Sequence, residues 1–431
     1  MLGWLKNASL IEWLANLIAS PNLAAASSAS KLIYDKAGGF TAAHTANVMI
    51  SQIQLTFKAS GEAAYSSALA QATEAVSLLE AAREEIIQEA NKYCENMVKR
   101  GGGVKDIEIH LRLPRRHGPS AVNALSYFAG SNHPLSPDLA PGGNPSVSTP
   151  VTGYPFVVLH LLVDVCDAMG ANLVNTIAEG VSGFVASKCR REIETSEDSK
   201  TDAVSVEPVV GLRILSNLCL HRMVKSSFRL PVESLAWKGV EGIEVAKRVL
   251  NAWEFARDDS YRACTHNKGA MNGVDAVALA TGQDTRAVEA SVHAFASVGG
   301  VYQPVTRYAI VEDEPTADTS ATSDSLDSST TSPESVSAPS RQQQYLEGTM
   351  EVPLAVGTKG GSLGAHPIFK WTLALLGNPD SATLAEIMAS VGLAQNFAAM
   401  RALAIEGIQK GHMALHARKE AACVPVPGSK M

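Results

Sequence analysis

Apolar and polar positions along the chain fall into two periods. Over residues 62–100, apolar side chains recur at Ala68, Leu69, Ala72, Val76, Leu79, Ile86 and Ile87 among Ala, Glu and Gln, the pattern of a long amphipathic helix. Gly101, Gly102 and Gly103 should stop it. Residues 106–111 then alternate strictly and predict a strand with one buried face. Residues 157–165 form an apolar strand candidate, helical periodicity resumes after Asn172 through Val185, and 209–215 reads as another strand. Residues 240–255 and 274–296 are helical, 349–356 reads as a strand and 357–362 as a turn. A last helix starts with Asp380 or Ser381 as N-cap and runs to about Lys410. Polar stretches at 114–150, 195–208 and 311–344 interrupt the pattern, and no internal repeat is present. Helices around a small sheet drawn from 53–215 make an α+β chain.

Composition narrows the classes. With 431 residues, 46% of them hydrophobic, the chain is long enough for two or three domains with sizeable cores. The net charge of -7 is local: residues 311–340 carry seven acids and no Lys or Arg, and setting them aside leaves 36 charges of each sign. That segment cannot bury a core and is expected to be a disordered loop. A near-neutral remainder argues against nucleic-acid binding. The six cysteines are scattered, with no C-x-x-C pair and no zinc-like spacing, so free thiols in a reducing compartment and no metal are expected. No run of about 18 apolar residues lacks a charge, which argues against a membrane span. The first 22 residues make a poor targeting peptide. A soluble cytoplasmic protein is expected, with an organelle left open.

Residues 262–273 form the densest polar constellation, beginning with Arg262 and containing His266, Asn267, Lys268 and Asn272 among glycines. A lysine in such a setting can donate to a developing oxyanion, and Arg262 can clamp a carboxylate. The same stretch also reads as a plain polar loop before a helix. Asp284 follows a glycine turn, either as an acid with a task or as the cap of the next helix. His412 and His416 stand four apart, suited to proton donation or to the surface. Residues 167–172 place one glycine between a strand and a helix, and helix N-termini bind pyrophosphate. Neither G-x-G-x-x-G nor a Walker loop is present.

Taken together, Asp167-Ala168-Met169-Gly170-Ala171-Asn172, Thr265-His266-Asn267-Lys268-Gly269, Asn272-Gly273, Ala280-Thr281-Gly282-Gln283-Asp284 and the stretch from Gly411-His412-Met413 to Arg418 resemble hydroxymethylglutaryl-CoA reductase, most closely its class II branch. The resemblance spans about 24–418. It implies reduction of 3-hydroxy-3-methylglutaryl-CoA to mevalonate by two hydride transfers with release of CoA. It also implies a mostly helical large domain, 1–46 and 217–411, which takes the CoA substrate. Inserted in it would be a small antiparallel α+β cofactor domain, 47–216, which is not a Rossmann fold. The truncated flap would be 412–431 and the acidic loop 311–344. By resemblance, Lys268 polarises the reacting carbonyl, Asp284 bonds that lysine and His412 protonates the departing thiolate. Arg262 and Asn272 hold substrate, while Asp167, Met169, Gly170, Asn172 and Asn217 hold the dinucleotide. A homodimer with its site at the subunit interface is implied.

Two departures matter. Class II members carry Glu-Glu-Pro-Ser before an Ala-Ala-Ala-Ser segment, the second glutamate being catalytic. Here Ala24-Ala25-Ala26-Ser27 follows Ile18-Ala19-Ser20-Pro21, with no carboxylate between Glu12 and Asp35. The expectation is that residues 1–20 come from an incomplete gene start, the alternative being an impaired member that only binds CoA or nucleotide. NADH-specific members place an aspartate in this region; here Cys94 stands near that place, with Lys92 close by. The exchange relaxes exclusion of a 2′-phosphate, so NADPH is expected, with NADH as the alternative.

Overall fold

The computed structural model describes residues 21–57, 64–113, 154–189, 208–312 and 343–405. In chain order, α1 (Pro21–Ala37) leads to β1 (Thr41–His44), β2 (Val48–Thr56), α2 (Ala64–Ala81) and α3 (Arg83–Asn91). Next come α4 (Glu95–Val98), β3 (Gly103–Arg112), β4 (Phe156–Asp164), α5 (Ala171–Lys188) and β5 (Val209–Ser216). Then follow β6 (Met223–Pro231), α6 (Gly242–Asp258), α7 (Ser260–Ala280), α8 (Thr285–Ala296) and β7 (Thr306–Glu312). The last are β8 (Gln344–Pro353), α9 (Pro367–Leu375) and α10 (Ser381–Ile405). The described residues fall into two compact units, one drawn from Met1–Asn47, Asp167–Met169 and Asn217–Met431, the other from Val48–Cys166 and Gly170–Ser216.

In the first unit, strands in the order β1-β6-β8-β7 form an antiparallel sheet. Helix α10 is apolar on every side, as a helix buried all round must be, and lies in the core. Phe397 on α10 meets Phe228 of β6 at a ring separation of 5.0 Å and Tyr308 of β7 at 6.4 Å. The buried Tyr308 hydroxyl donates to Asn396 Oδ1 at 2.8 Å, which satisfies the one polar atom that ring brings inside. Gly273 of α7 lets that helix approach α10, since a Cβ there would lie 2.8 Å from the Val391 carbonyl.

The second unit runs β2, helices, β3, β4, α5, β5, with sheet order β3-β4-β2-β5, all antiparallel. This is the ferredoxin-like βαββαβ arrangement. Val157, Leu159, Leu161 and Val163 of β4 are wholly buried on one face together with Met49, Ile53 and Leu55 of β2. Helices α2, α3 and α5 pack on this sheet.

Several expectations change. The long helix over 62–100 is broken at Ala82, whose φ of -92° and ψ of 8° leave helical space, and again at Cys94. The first break turns Arg83 so that it donates to the Ile107 carbonyl at 2.6 Å and pairs with Glu80 and Asp106, tying α3 to β3. Residues 260–273 are helix rather than loop. Strand β8 begins at Gln344, and β6 and β7 build a second sheet that the expectation of one small sheet omits. Residues 313–342 of the acidic stretch lie outside the described residues, while its edges, Val311–Glu312 and Gln344, belong to strands.

Candidate active site

Helix α7 carries the polar constellation, and the structure divides it by face. Asp259 caps the helix, its carboxylate accepting from Arg262 N at 2.8 Å. His266 and Asn267 are buried. His266 Nε2 lies 2.5 Å from Thr306 Oγ1 of β7, and its carbonyl accepts from Asn396 Nδ2 of α10. Asn267 donates to the Gln303 carbonyl at 2.9 Å and accepts from Val305 N at 2.9 Å. These two residues bolt α7 to β7 and α10. Burial, with the Arg262 charge added, pushes the His266 imidazole down to about 3, so it stays neutral and serves structure rather than proton transfer.

Lys268 lies on the other side, exposed, and among the described residues it makes no hydrogen bond or ion pair. Asn272 stands one turn on, half-buried, and so shares its stripe. Arg262 is half-buried, its guanidinium 3.7 Å from Met400 Sδ, and burial holds it below the ordinary arginine value. A helix bolted by buried side chains therefore presents a free ammonium with an amide beside it.

Asp284 follows the end of α7 through Gly282, whose φ of 71° suits glycine. It is the N-cap of α8, its Oδ1 accepting from Arg286 N at 3.1 Å and Ala287 N at 3.2 Å. Lys268 lies 12 residues before the end of α7 at Ala280, about 18 Å of helix rise. The structure does not join Lys268 to Asp284 within this chain.

The turn at Asp167–Met169 is built from the same unit. Arg222, fully buried, donates to the Ala168 and Met169 carbonyls at 3.4 and 3.3 Å and to the Val356 carbonyl. Asp167 accepts at its carbonyl from Thr358 N (2.8 Å) and Lys359 N (3.1 Å), and its carboxylate accepts from Ser381 N at 3.0 Å. Gly357 must be glycine, because a Cβ there would lie 2.3 Å from Met169 N. Arg222 carries this turn, yet nothing in the sequence pattern separates it from a surface arginine.

Gly170 begins the other unit as N-cap of α5, with φ of 96°, and a Cβ would meet Val165 at 2.5 Å. No acid occupies the first turn of α5, where Asn172 is exposed. Open amide groups at such an end favour an anion. Asn217 is exposed just after β5. His412 and the flap over 412–431 lie outside the described residues, and Ala24–Ser27 are described as backbone of α1 only.

Comparison with known proteins places these features in one family. The family model for hydroxymethylglutaryl-coenzyme A reductase matches residues 21–417. The 3-hydroxy-3-methylglutaryl-coenzyme A reductase of Archaeoglobus fulgidus is 34% identical over 414 residues, covering 96% of this chain and 72% of that protein. A probable 3-hydroxy-3-methylglutaryl-coenzyme A reductase from Borreliella burgdorferi is 35% identical over 261 residues, 61% of this chain and 49% of that protein. Among solved structures, the class II reductase of Streptococcus pneumoniae bound to NADPH in open conformations superposes with a TM-score of 0.63 at 31% identity, covering 96% of this chain and 76% of that one. No described helix is long and apolar enough to cross a membrane. The chain belongs to the hydroxymethylglutaryl-coenzyme A reductase family, a family of oxidoreductases of the mevalonate pathway.

Proposed function

We propose that this chain reduces the thioester of 3-hydroxy-3-methylglutaryl-CoA to mevalonate and CoA with NADPH, and that Lys268 is the cation at the reacting oxygen. The single observation carrying this reading is the division of α7, with His266 and Asn267 consumed by packing and Lys268 held free on a rigid helix beside Asn272. A preorganised ammonium steadies negative charge on the hemithioacetal and aldehyde oxygens without reorganising. Arg262 and Asn272 bind the substrate's carboxylate and reacting region, and His412 gives the departing thiolate its proton.

The unit drawn from Val48–Cys166 and Gly170–Ser216 fits the dinucleotide. The acid-free N-terminus of α5 at Gly170 and Asn172 suits a pyrophosphate. A pocket lined by Lys92, Cys94, Glu95, Arg100 and Leu173 sets two cations against one carboxylate, and the buried Cys94 stands near where a carboxylate that would repel a 2′-phosphate is expected. NADPH, when bound, supplies the hydrides. Because Lys268 and Asp284 do not meet within one chain, their pairing calls for a second copy, and we take the working enzyme to be a homodimer.

A second reading follows from the sequence between Glu12 and Asp35, which holds no carboxylate: a member that binds CoA or nucleotide without turnover. NADPH oxidation at 340 nm with 3-hydroxy-3-methylglutaryl-CoA separates the two. Turnover that disappears in Lys268→Ala supports the reductase reading. Silence in both this chain and one carrying Glu-Glu-Pro-Ser at 18–21, with CoA still bound, establishes the binding-only reading.

A further inference from the structure

The sheet of the second unit brings His160 against Glu108 and His110, which lie about fifty residues before it in the sequence. Glu108 of β3 pairs in register with His160 of β4, which pairs in turn with Gln52 of β2. His110 lies two residues along β3 and so on the same face. That face is opposite the one where Val157, Leu159, Leu161 and Val163 are buried. One ligand atom from each of Glu108, His110 and His160 lies within 4.8 Å of the others.

The distances have a specific meaning. Glu108 Oε2 is 3.3 Å from His110 Nε2 and 3.5 Å from His160 Nδ1, and the imidazole centroids are 4.3 Å apart. Donors held at zinc bond lengths of about 2.0–2.1 Å in a tetrahedron lie about 3.3–3.4 Å from one another. The two measured separations match those edges. His160 Nδ1 is buried and makes no well-formed hydrogen bond, its approach to the Glu108 carboxylate being long at 3.5 Å. The other nitrogen of the same ring, Nε2, lies 2.9 Å from the Gln52 amide. As it stands the Gln52 amide nitrogen faces Nε2; a half-turn of the amide brings its oxygen there, so that Nε2–H donates to Gln52 and Nδ1 offers its lone pair to a bound cation. An amide holding the far nitrogen is how ligating histidines are fixed in orientation and tautomer.

We propose that Glu108, His110 and His160 form a three-ligand site for a divalent transition metal of the zinc class, with Gln52 orienting His160. Two imidazoles and one carboxylate favour zinc over calcium or magnesium, which take oxygen ligands. A fourth position stays open to water or an outside ligand. The Arg112 charge acts on His160 and would oppose a bound cation, weakening the site. The ion would join β3 to β4, strands whose facing residues lie about fifty positions apart in the sequence. The site is independent of the reductase reading.

Calorimetric titration of the full chain with Zn2+ tests it. One equivalent should bind in the micromolar range and raise the melting temperature, while Glu108→Gln and His160→Gln weaken binding at least about 100-fold and Gln52→Ala about 10-fold. Gln52→Ala keeps all three ligands, so it remains informative if the other variants fold poorly. Co2+ should give the visible bands of a four-coordinate nitrogen–oxygen site. Undiminished Zn2+ binding in the variants, thiolate-to-cobalt charge-transfer bands, or no binding to the native chain at millimolar Zn2+ would each overturn the proposal.

Discussion

Gln283 grips Gly357 from both sides of the peptide, its Nε2 donating to the Gly357 carbonyl and its Oε1 accepting from the Gly357 amide, each at 2.9 Å. This bond pair connects the turn that ends in Asp284 to the segment packed on Asp167–Met169. Gln283→Ala leaves both backbone groups short of a partner and should destabilise the fold by about 2–3 kcal/mol, since each unsatisfied group costs about 1–3 kcal/mol. Gln283→Glu keeps only the acceptor half and should fall between. Chemical denaturation measures the order, and a Gln283→Ala midpoint equal to the native one would remove this link from the account.

Asp284 caps α8, and substitutions can separate that role from the acid–base task proposed for it. Serine is as good an N-cap as aspartate, whereas alanine costs about 1 kcal/mol of helix stability. Asp284→Ser should therefore hold its melting temperature while turnover falls by about 100-fold or more, the scale of lost acid–base assistance. Asp284→Ala should lose both. If Asp284→Ser retains full turnover, the residue is a cap and nothing else.

The proposed pairing of Lys268 with Asp284 across two copies would have its own signature. Lys268→Ala and Asp284→Ala homodimers should each be inactive. When the two are unfolded together and refolded, half of the dimers are mixed and one of their two sites is intact, giving about a quarter of native activity. Activity that stays at background while mixed dimers are shown to form would place both residues in one subunit's site.

How much of this was legible depended on where each signal resides. Residues 106–111 and 157–165 announce strands because alternation and continuous apolar runs are local properties. The α7 segment over 260–273 looks like a loop because His266 and Asn267 are polar, and their partners Thr306, Gln303, Val305 and Asn396 are 36 to 130 residues away. Burial of a polar group is only intelligible once its partner is known. Arg222 fails to stand out for the same reason, its acceptors lying 53 to 134 residues off. Strand β6 did carry a readable alternation, buried at Val224, Ser226, Phe228 and Leu230, although the serine within it weakens the apolar pattern. The motifs Lys268, Asp284 and Gly170 were findable from text, but their burial, caps and bonds were not.

Stability should respond to pH through Asp275. Burial, and then a hydrogen bond and repulsion from Glu289, push this carboxyl up to about 8, while Glu289 is paired with His293 at 2.6 Å. A carboxyl whose folded value exceeds its unfolded one keeps a proton that the unfolded chain has released, so stability falls as pH rises from about 4 to about 8. His266, depressed to about 3, acts in the other direction and costs stability as pH falls below about 6.5. Asp275→Asn removes the first slope only. Its denaturation midpoint, relative to the native chain, should climb between about pH 5 and pH 8.5, and a constant difference would contradict the raised value.

Asn172 offers a test in which stability and function move in opposite directions. It is exposed in the first turn of α5, a helix end with no acid of its own. A carboxylate there interacts favourably with the helix dipole, by about 0.3–1 kcal/mol at an exposed site. Asn172→Asp should therefore stabilise the free protein slightly. The same charge meets the dinucleotide phosphates head-on if they sit on this helix end, so KM for NADPH should rise about 10-fold or more while kcat changes little. Raising the ionic strength should shrink both effects, because both are Coulombic and exposed. A stabilised variant with an unchanged KM would move the pyrophosphate away from α5 while leaving the fold as described.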